Sequence, residues 1–198
     1  MTTKYPEVVS NWTAAIGSTV GAIGQTNQLI GNRYIGQILW SVGKGTQGVG
    51  SGLQATLEDN PRAEVGNWLI SVGASSVSVV AAREIPDEFR KEILYRLKVK
   101  EVDVKTLDDI QNRQVALIGN GLQSIGAYLE ALERDHSKRV IGGIIQSLGA
   151  LIEAIGVLKQ LTSDEKTALQ LAVIGSWLQS IGTSLQAIGV TEQFHEST

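Results

Sequence analysis

Apolar and polar positions along the 198-residue chain recur with a seven-residue period. Six segments share it: 9–17, 35–43, 65–73, 118–126, 141–149 and 174–182. In most of them a branched aliphatic precedes glycine, two variable residues and another aliphatic follow, then commonly Gln-Ser. The aliphatic–glycine pair returns seven residues on, as in Ile174-Gly-Ser-Trp-Leu-Gln-Ser-Ile181-Gly182. Ile174, Leu178, Ile181, Leu185 and Ile188 step by four and three, which keeps one stripe on one side of a helix. A strand would need strict alternation, and Gly-Ser-Trp-Leu-Gln-Ser does not alternate. If the aliphatics before glycine and the mid-unit Leu or Ile are the d and a positions of a heptad, glycine falls at e. Gln and Ser then fall at b and c, on the solvent side, and Trp12, Trp68 and Trp177 share g, flanking the seam.

Stops and starts are legible between the repeats. Helices are expected at about 6–31, 34–58, 62–83, 87–97, 106–134, 138–160 and 164–190. Asn60-Pro61 and Ile85-Pro86 each place proline in the first turn of a new helix. Thr162 with Glu165 has the spacing of a capping box. The segment 84–105 differs: it is charged, poor in glycine, and partly alternates over Leu97–Val104, so it reads as a connector, extended or helical. It separates a first set of repeat helices (1–83) from a second (106–190), with a polar tail at 191–198. The expected fold is therefore all-α, a multi-helix bundle of glycine-marked amphipathic helices with two pseudo-repeated halves that pack as one domain.

Glycine changes the energetics of that picture. A helix-interior Gly costs roughly 0.8–1.0 kcal/mol relative to Ala. A dozen such sites would cost on the order of 10 kcal/mol, comparable to a domain's whole net stability. A position held as glycine in unit after unit must gain from lacking a side chain, and close approach of neighbouring backbones supplies that gain, in water or in lipid.

Composition and charge narrow the functions. The formal net charge is −3, and the basic residues between Arg90 and Lys105 are interleaved with acids, so no nucleic-acid-binding stripe is present. The absence of cysteine removes disulfides, thiolate metal sites and thiol nucleophiles. Met1 to Ser10 lacks the charged-then-apolar run of a signal peptide, which points to the cytoplasm. Gly43-Lys44-Gly45-Thr46-Gln47-Gly48 has the letters of a phosphate loop, yet it lies inside the heptad register of Ile35, Leu39, Val42 and Val49, with no strand before it. Asp135-His136-Ser137 contains triad residue types, but consecutive residues in a turn cannot adopt triad geometry. His195 lies in the polar tail, and the paired acids Asp87/Glu88, Asp108/Asp109 and Asp164/Glu165 sit at helix starts, where the helix dipole accounts for them. No catalytic, cofactor-binding or metal-ligating residue is assigned, and no cofactor or small-molecule substrate is implied.

At Gly66-Asn-Trp-Leu-Ile-Ser-Val-Gly73, at 174–182 and at Ala15-Ile-Gly-Ser-Thr-Val-Gly-Ala-Ile-Gly24 the chain resembles a group of "repetitive proteins" of Bacillus-type bacteria. Their recurrent unit is Gly-(Asn/Ser)-Trp-(Ile/Leu)-Gln-Ala-(Ile/Val)-Gly, and they have no assigned activity. The resemblance covers most of the chain outside 83–109 and implies a bacterial origin.

Three function classes follow. A soluble repeat bundle acting as scaffold, assembly subunit or binding module, through self-association or a protein partner, fits the repeats and the Gln/Ser faces. A membrane-associated or pore-forming protein fits the uncharged runs 8–32 and 167–191, each 25 residues long, which meet the length needed to span a bilayer although Gln, Asn, Ser and Thr recur in them. An enzyme or ligand carrier has the least support, because paired Glu-x-x-His motifs are missing.

Overall fold

A computed structural model describes residues 4–85, 109–162 and 164–196. They form six α-helices: α1 Lys4–Leu29, α2 Arg33–Leu57, α3 Pro61–Arg83, α4 Asp109–Leu132, α5 Ser137–Leu161 and α6 Glu165–Glu196. Each helix packs on its neighbours in the chain and α1 packs on α6, which closes an up-and-down ring of six. The two sets of repeat helices are the two arcs of this ring. The helix expected at 87–97 and the alternating stretch 97–104 lie outside the described residues.

Helix ends follow local chemistry. Asn60 caps α3, its side chain accepting from the N–H groups of Arg62 (2.9 Å) and Ala63 (3.2 Å), with Pro61 in the first turn. Gly31 ends α1 in the left-handed region (φ +97°), and the Gly31 and Asn32 N–H groups bond back to Gln28 and Asn27 in a Schellman arrangement. The capping box expected at Thr162/Glu165 is not formed. Thr162 Oγ1 donates to the carbonyl of Lys159, and Asp164 caps Thr167 instead. α6 also runs on to Glu196, so the residues expected as a polar tail are largely helical, anchored through Thr191, Glu192 and Gln193.

The main correction concerns which face is inside. Among the described residues, thirty-three large hydrophobic side chains are exposed and six (Ile70, Val77, Val80, Ile85, Val157, Val190) are buried, whereas twenty-four polar or charged residues are buried. The aliphatics preceding glycine point outward: Ile16, Ile35, Val42, Val72, Ile118, Ile125, Ile141, Leu148, Ile174 and Ile181 are all about half exposed. The Gln and Ser residues expected on the solvent side are largely enclosed, with Gln123, Gln146 and Gln179 almost completely buried. Trp12, Trp68 and Trp177 lie on the outer surface and do not close the core.

One heptad unit explains this arrangement. Relative to Ile174, a helix of 100° per residue puts Gly175 on one flank, Ser176 and Gln179 on the back, and Ser180 on the other flank. Each helix thus has an aliphatic outer face, a glycine flank, a polar inner face and a hydroxyl flank. Antiparallel neighbours present like flanks to one another, so an up-and-down ring of such helices alternates Gly–Gly with Ser–Ser seams, and closes only with an even number of helices. The glycine seams join α1/α2, α3/α4 and α5/α6. There a Cβ on Gly43 would lie 2.3 Å from Gly21 N, one on Gly73 2.3 Å from Gly119 O, and one on Gly149 2.6 Å from Gly175 O. The hydroxyl seams join α2/α3, α4/α5 and α6/α1. Ser41 and Ser78 exchange bonds to each other's carbonyls (3.0 and 2.7 Å), Ser147 donates to the Ser124 carbonyl (2.8 Å), and Thr19 bonds Ser180 (2.8 Å).

Candidate functional site: a polar lumen and its vestibule

The inward faces of the six helices enclose a polar axis with three tiers. At the end where α1 begins, charged residues close the ring. Arg134, in the turn after α4, pairs with Glu130 (2.9 Å) and Glu58 (2.6 Å). Burial by itself would favour neutral Arg134, but the charges of Glu130 and Glu58 outweigh it and hold the guanidinium above its already high ordinary pKa. Arg139 pairs with Glu7 (3.0 Å) and donates to Gln193 (3.0 Å), tying α5 to α1 and α6. On the outside of this end Glu133 accepts from Asn60 (2.9 Å) and Arg62 (2.7 Å), and these bonds hold its carboxyl below the usual carboxylate range.

The second tier is uncharged. Asn11, Ser51, Gln54, Gln146, Thr183 and Gln186 meet there, and the space they bound leaves no room for a water molecule. Gln186 links this tier to the first through Glu130 Oε2 (3.3 Å).

Lys44 of α2 holds the third. Its ammonium lies 2.9 Å from Glu153 of α5 on the opposite side of the ring, and it donates to Gln179 of α6 (3.1 Å) and Gln123 of α4 (3.3 Å). Gln47 also donates to Gln179 (3.2 Å), and Gln123 to Asn120 (3.1 Å). Both members of the ion pair are nearly inaccessible, with 3% and 2% side-chain exposure. A buried pair of this kind adds little net stability, because desolvation consumes most of the Coulomb attraction. Its presence is therefore not accounted for by stability alone.

Above Lys44 and Glu153 the axis opens into a cavity of 540 Å³ at the other end, lined by residues of all six helices. Glu153 and Asn120 lie at its inner limit, while Arg33, Glu84, Arg113 and Glu165 lie near the helix ends that form its mouth. This vestibule falls within the range of small-molecule sites.

The sequence motifs resolve differently. Gly43 to Gly48 is uninterrupted α2: its lysine points into the lumen, and Gly43 and Gly48 lie in helix–helix seams. Asp135 and His136 lie in the α4–α5 turn and Ser137 opens α5, with His136 Nε2 3.7 Å from Glu192. His195 stacks edge-on with Phe194 in the last turn of α6. Among the described residues no group of three or more His, Asp or Glu side chains could hold a metal ion. Sequence reasoning missed Lys44 and Glu153, although a signal was present. Lys44 is the only charge between Arg33 and Glu58, and Glu153 the only one between Arg139 and Lys159.

No curated protein and no solved structure matches the chain. A family match extends over residues 5–187, and the chain belongs to that family, a family of unknown function (DUF6944).

Proposed function

We propose that the protein is an integral membrane protein whose ring of helices turns its aliphatic rim to lipid and encloses a polar path for small hydrophilic solutes, closed from the Lys44–Glu153 tier to the α1 start in the state described. It acts as a conduit or carrier and not as an enzyme. Its Gly-x-Trp units support a kinship with the glycine-heptad repetitive proteins of Bacillus-type bacteria.

The inverted distribution of hydrophobicity carries this reading. Exposed residues along the middle of the helices are mostly aliphatic or aromatic, while the exposed charges among the described residues (Arg33, Asp59, Arg62, Glu84, Asp135, Lys159, Glu165, Lys166, Glu196) cluster at the helix ends. Soluble monomers rarely expose apolar patches beyond a few hundred Å². Helices of 23 to 32 residues rise roughly 35–48 Å, enough to cross a hydrocarbon core of about 30 Å. By mean hydropathy only α3 (1.5) and α5 (1.8) qualify as spans among the described residues. Core helices of soluble proteins pass the same test, so these two add little weight by themselves. The others fall short because their inner faces are polar, as a lumen requires. Tyr5, Trp12, Trp68 and Tyr128 lie in the half of the ring nearer the α1 start, and Tyr34 and Trp177 in the other half, which suits two interfacial belts. The soluble-scaffold reading drew its support from outward Gln/Ser faces, and those residues are enclosed.

The test is membrane partition. Protein expressed without detergent should sediment with membranes, resist alkaline carbonate extraction and float with liposomes. A monodisperse protein that stays at the bottom of the gradient would refute the proposal, and its apolar rim would then have to be covered by other protein chains.

A further inference from the structure

We infer that the vestibule is a binding site for a small polar amine, with the carboxylate of Glu153 receiving its ammonium group. This goes beyond the membrane reading, because the cavity opens at one end of the ring whatever surrounds the rim. Three observations carry it.

Glu153 is 2% exposed yet borders the 540 Å³ cavity. Oε2 is in ionic contact with Lys44, but neither oxygen accepts a well-directed hydrogen bond from a described residue. A carboxylate has about four acceptor positions, and burying them without partners is costly. Lys44, by contrast, donates to Gln123 and Gln179 besides its ionic contact with Glu153. Glu153 therefore has spare acceptor capacity that its intramolecular cation does not use.

The second observation is the wall. Trp40 Nε1 and Gln28 Nε2 both line the cavity, and both are buried N–H donors with no acceptor among the described residues. A ligand that satisfies the site must bring a cationic donor to the floor and acceptor oxygens to the wall. A polar amine bearing hydroxyl, carbonyl or carboxylate oxygens has that complementarity, whereas a bare metal ion does not, since among the described residues Glu153 is the only carboxylate at the inner limit of the cavity.

The third is access. Glu153 lies eight residues from the last residue of α5, roughly 12 Å down the helix. The cavity extends to that depth, where Glu153 borders it with both carboxylate oxygens enclosed, so a ligand meets the carboxylate by a turn of the Glu153 side chain toward the cavity. Lys44 then acts as a tethered competitor that the ligand's ammonium partly displaces, and through Gln179 and Gln123 that displacement is transmitted to the elements closing the lumen.

The experiment is calorimetric titration of the purified full chain, in nanodiscs or in buffer according to where it partitions, with glucosamine, glucose and ethylamine as probes. Glucosamine should bind and glucose should not. Glu153→Gln should weaken glucosamine by about tenfold or more, the loss of one charge-assisted hydrogen bond. Trp40→Phe should weaken glucosamine by about fivefold, a neutral hydrogen bond, while leaving ethylamine unchanged. Glucosamine and glucose binding alike, or neither binding, would overturn the inference, as would a folded Glu153→Gln variant with unaltered affinity. If Glu153→Gln does not fold, the Trp40→Phe split between the two amines decides. Flotation reports on the membrane reading separately, so failure of one leaves the other readable.

Discussion

If the glycine flanks exist to let backbones touch, replacing glycine by alanine must change sign from site to site within the same helix type. Gly43 and Gly121 make the sharpest pair. Both are in helix interiors, where alanine is intrinsically better by about 0.8–1.0 kcal/mol. At Gly121 a Cβ meets nothing within 4 Å, so the full propensity gain should appear. At Gly43 it would lie 2.3 Å from Gly21 N, 2.6 Å from Gly21 Cα and 2.7 Å from Gly17 O. All three are backbone atoms and cannot rotate away. Restoring ordinary contact requires the α1/α2 axes to separate by about 1 Å, which loosens the packing along the seam. Overpacking of this kind costs about 1–3 kcal/mol and occasionally more. After subtracting the propensity gain, Gly43→Ala should be destabilising by up to about 2 kcal/mol and Gly121→Ala stabilising by about 1 kcal/mol. For a chain of this size 1 kcal/mol moves the midpoint by about 2–4 °C, so the two variants, which differ by the overpacking cost, should melt roughly 2–12 °C apart. Circular dichroism at 222 nm during thermal or denaturant unfolding, in whichever medium keeps the protein monodisperse, reads this directly. A Gly43→Ala variant as stable as Gly121→Ala would refute the seam argument, since it would mean that the helices do not approach to backbone contact.

Other expectations follow from single contacts. Lys44→Met leaves Glu153 buried with its only cation gone and should cost about 3–5 kcal/mol; Lys44→Met with Glu153→Leu should recover most of this, and denaturant titration of single and double variants measures the difference. Glu133, whose carboxyl is held below its ordinary pKa by Asn60 and Arg62, contributes stability that is present above the unfolded carboxylate pKa and lost as pH falls through the lower folded value. Arg62→Gln should therefore narrow the stability difference between pH 6 and strongly acidic buffer, measured as the melting temperature at each pH. Within the membrane reading the turn after α1 and the turn after α2 lie on opposite sides of the bilayer. Since the chain has no cysteine, Asn32→Cys and Asp59→Cys are clean single reporters. An impermeant maleimide added to intact cells should label one of the two and spare the other, and labelling of both would refute the spanning arrangement.

Helices, their breaks at Asn60-Pro61 and near Gly31, and the demand of the glycines for close contact were all legible in the sequence, because each depends on neighbours within a turn or two. The facing of the helices was not. Assigning Ile174 and Ile181 to a core and Gln179 and Ser180 to solvent assumes that water surrounds the molecule. Heptad spacing fixes only the angles between these residues, and the same angles describe a ring turned inside out. The Gln-Ser pair could have decided the matter. At b and c of a solvent-facing surface there is no reason to keep a long amide beside a small hydroxyl in unit after unit. In an inverted ring the two have separate roles: Gln179 reaches the axis and Ser180 touches the next helix.

The lone charges make the same point from the other side. Lys44 and Glu153 sit mid-helix, one on α2 and one on α5, each flanked by more than a full turn of uncharged residues in both directions. On a water-facing helix a charge costs nothing to repeat, so isolation would be accidental. On a rim that faces lipid, as proposed, an ionisable side chain can be accommodated only inward and only with a partner, and the opposite sign on the facing helix meets that condition. A six-helix ring makes α2 and α5 diametrically opposed, so a single lysine–glutamate pair is long enough to bridge the axis only because the glycine seams draw the helices in. The glycines and the ion pair are therefore coupled: loosening a seam widens the axis, and the contact most sensitive to that widening is the 2.9 Å pair of Lys44 and Glu153.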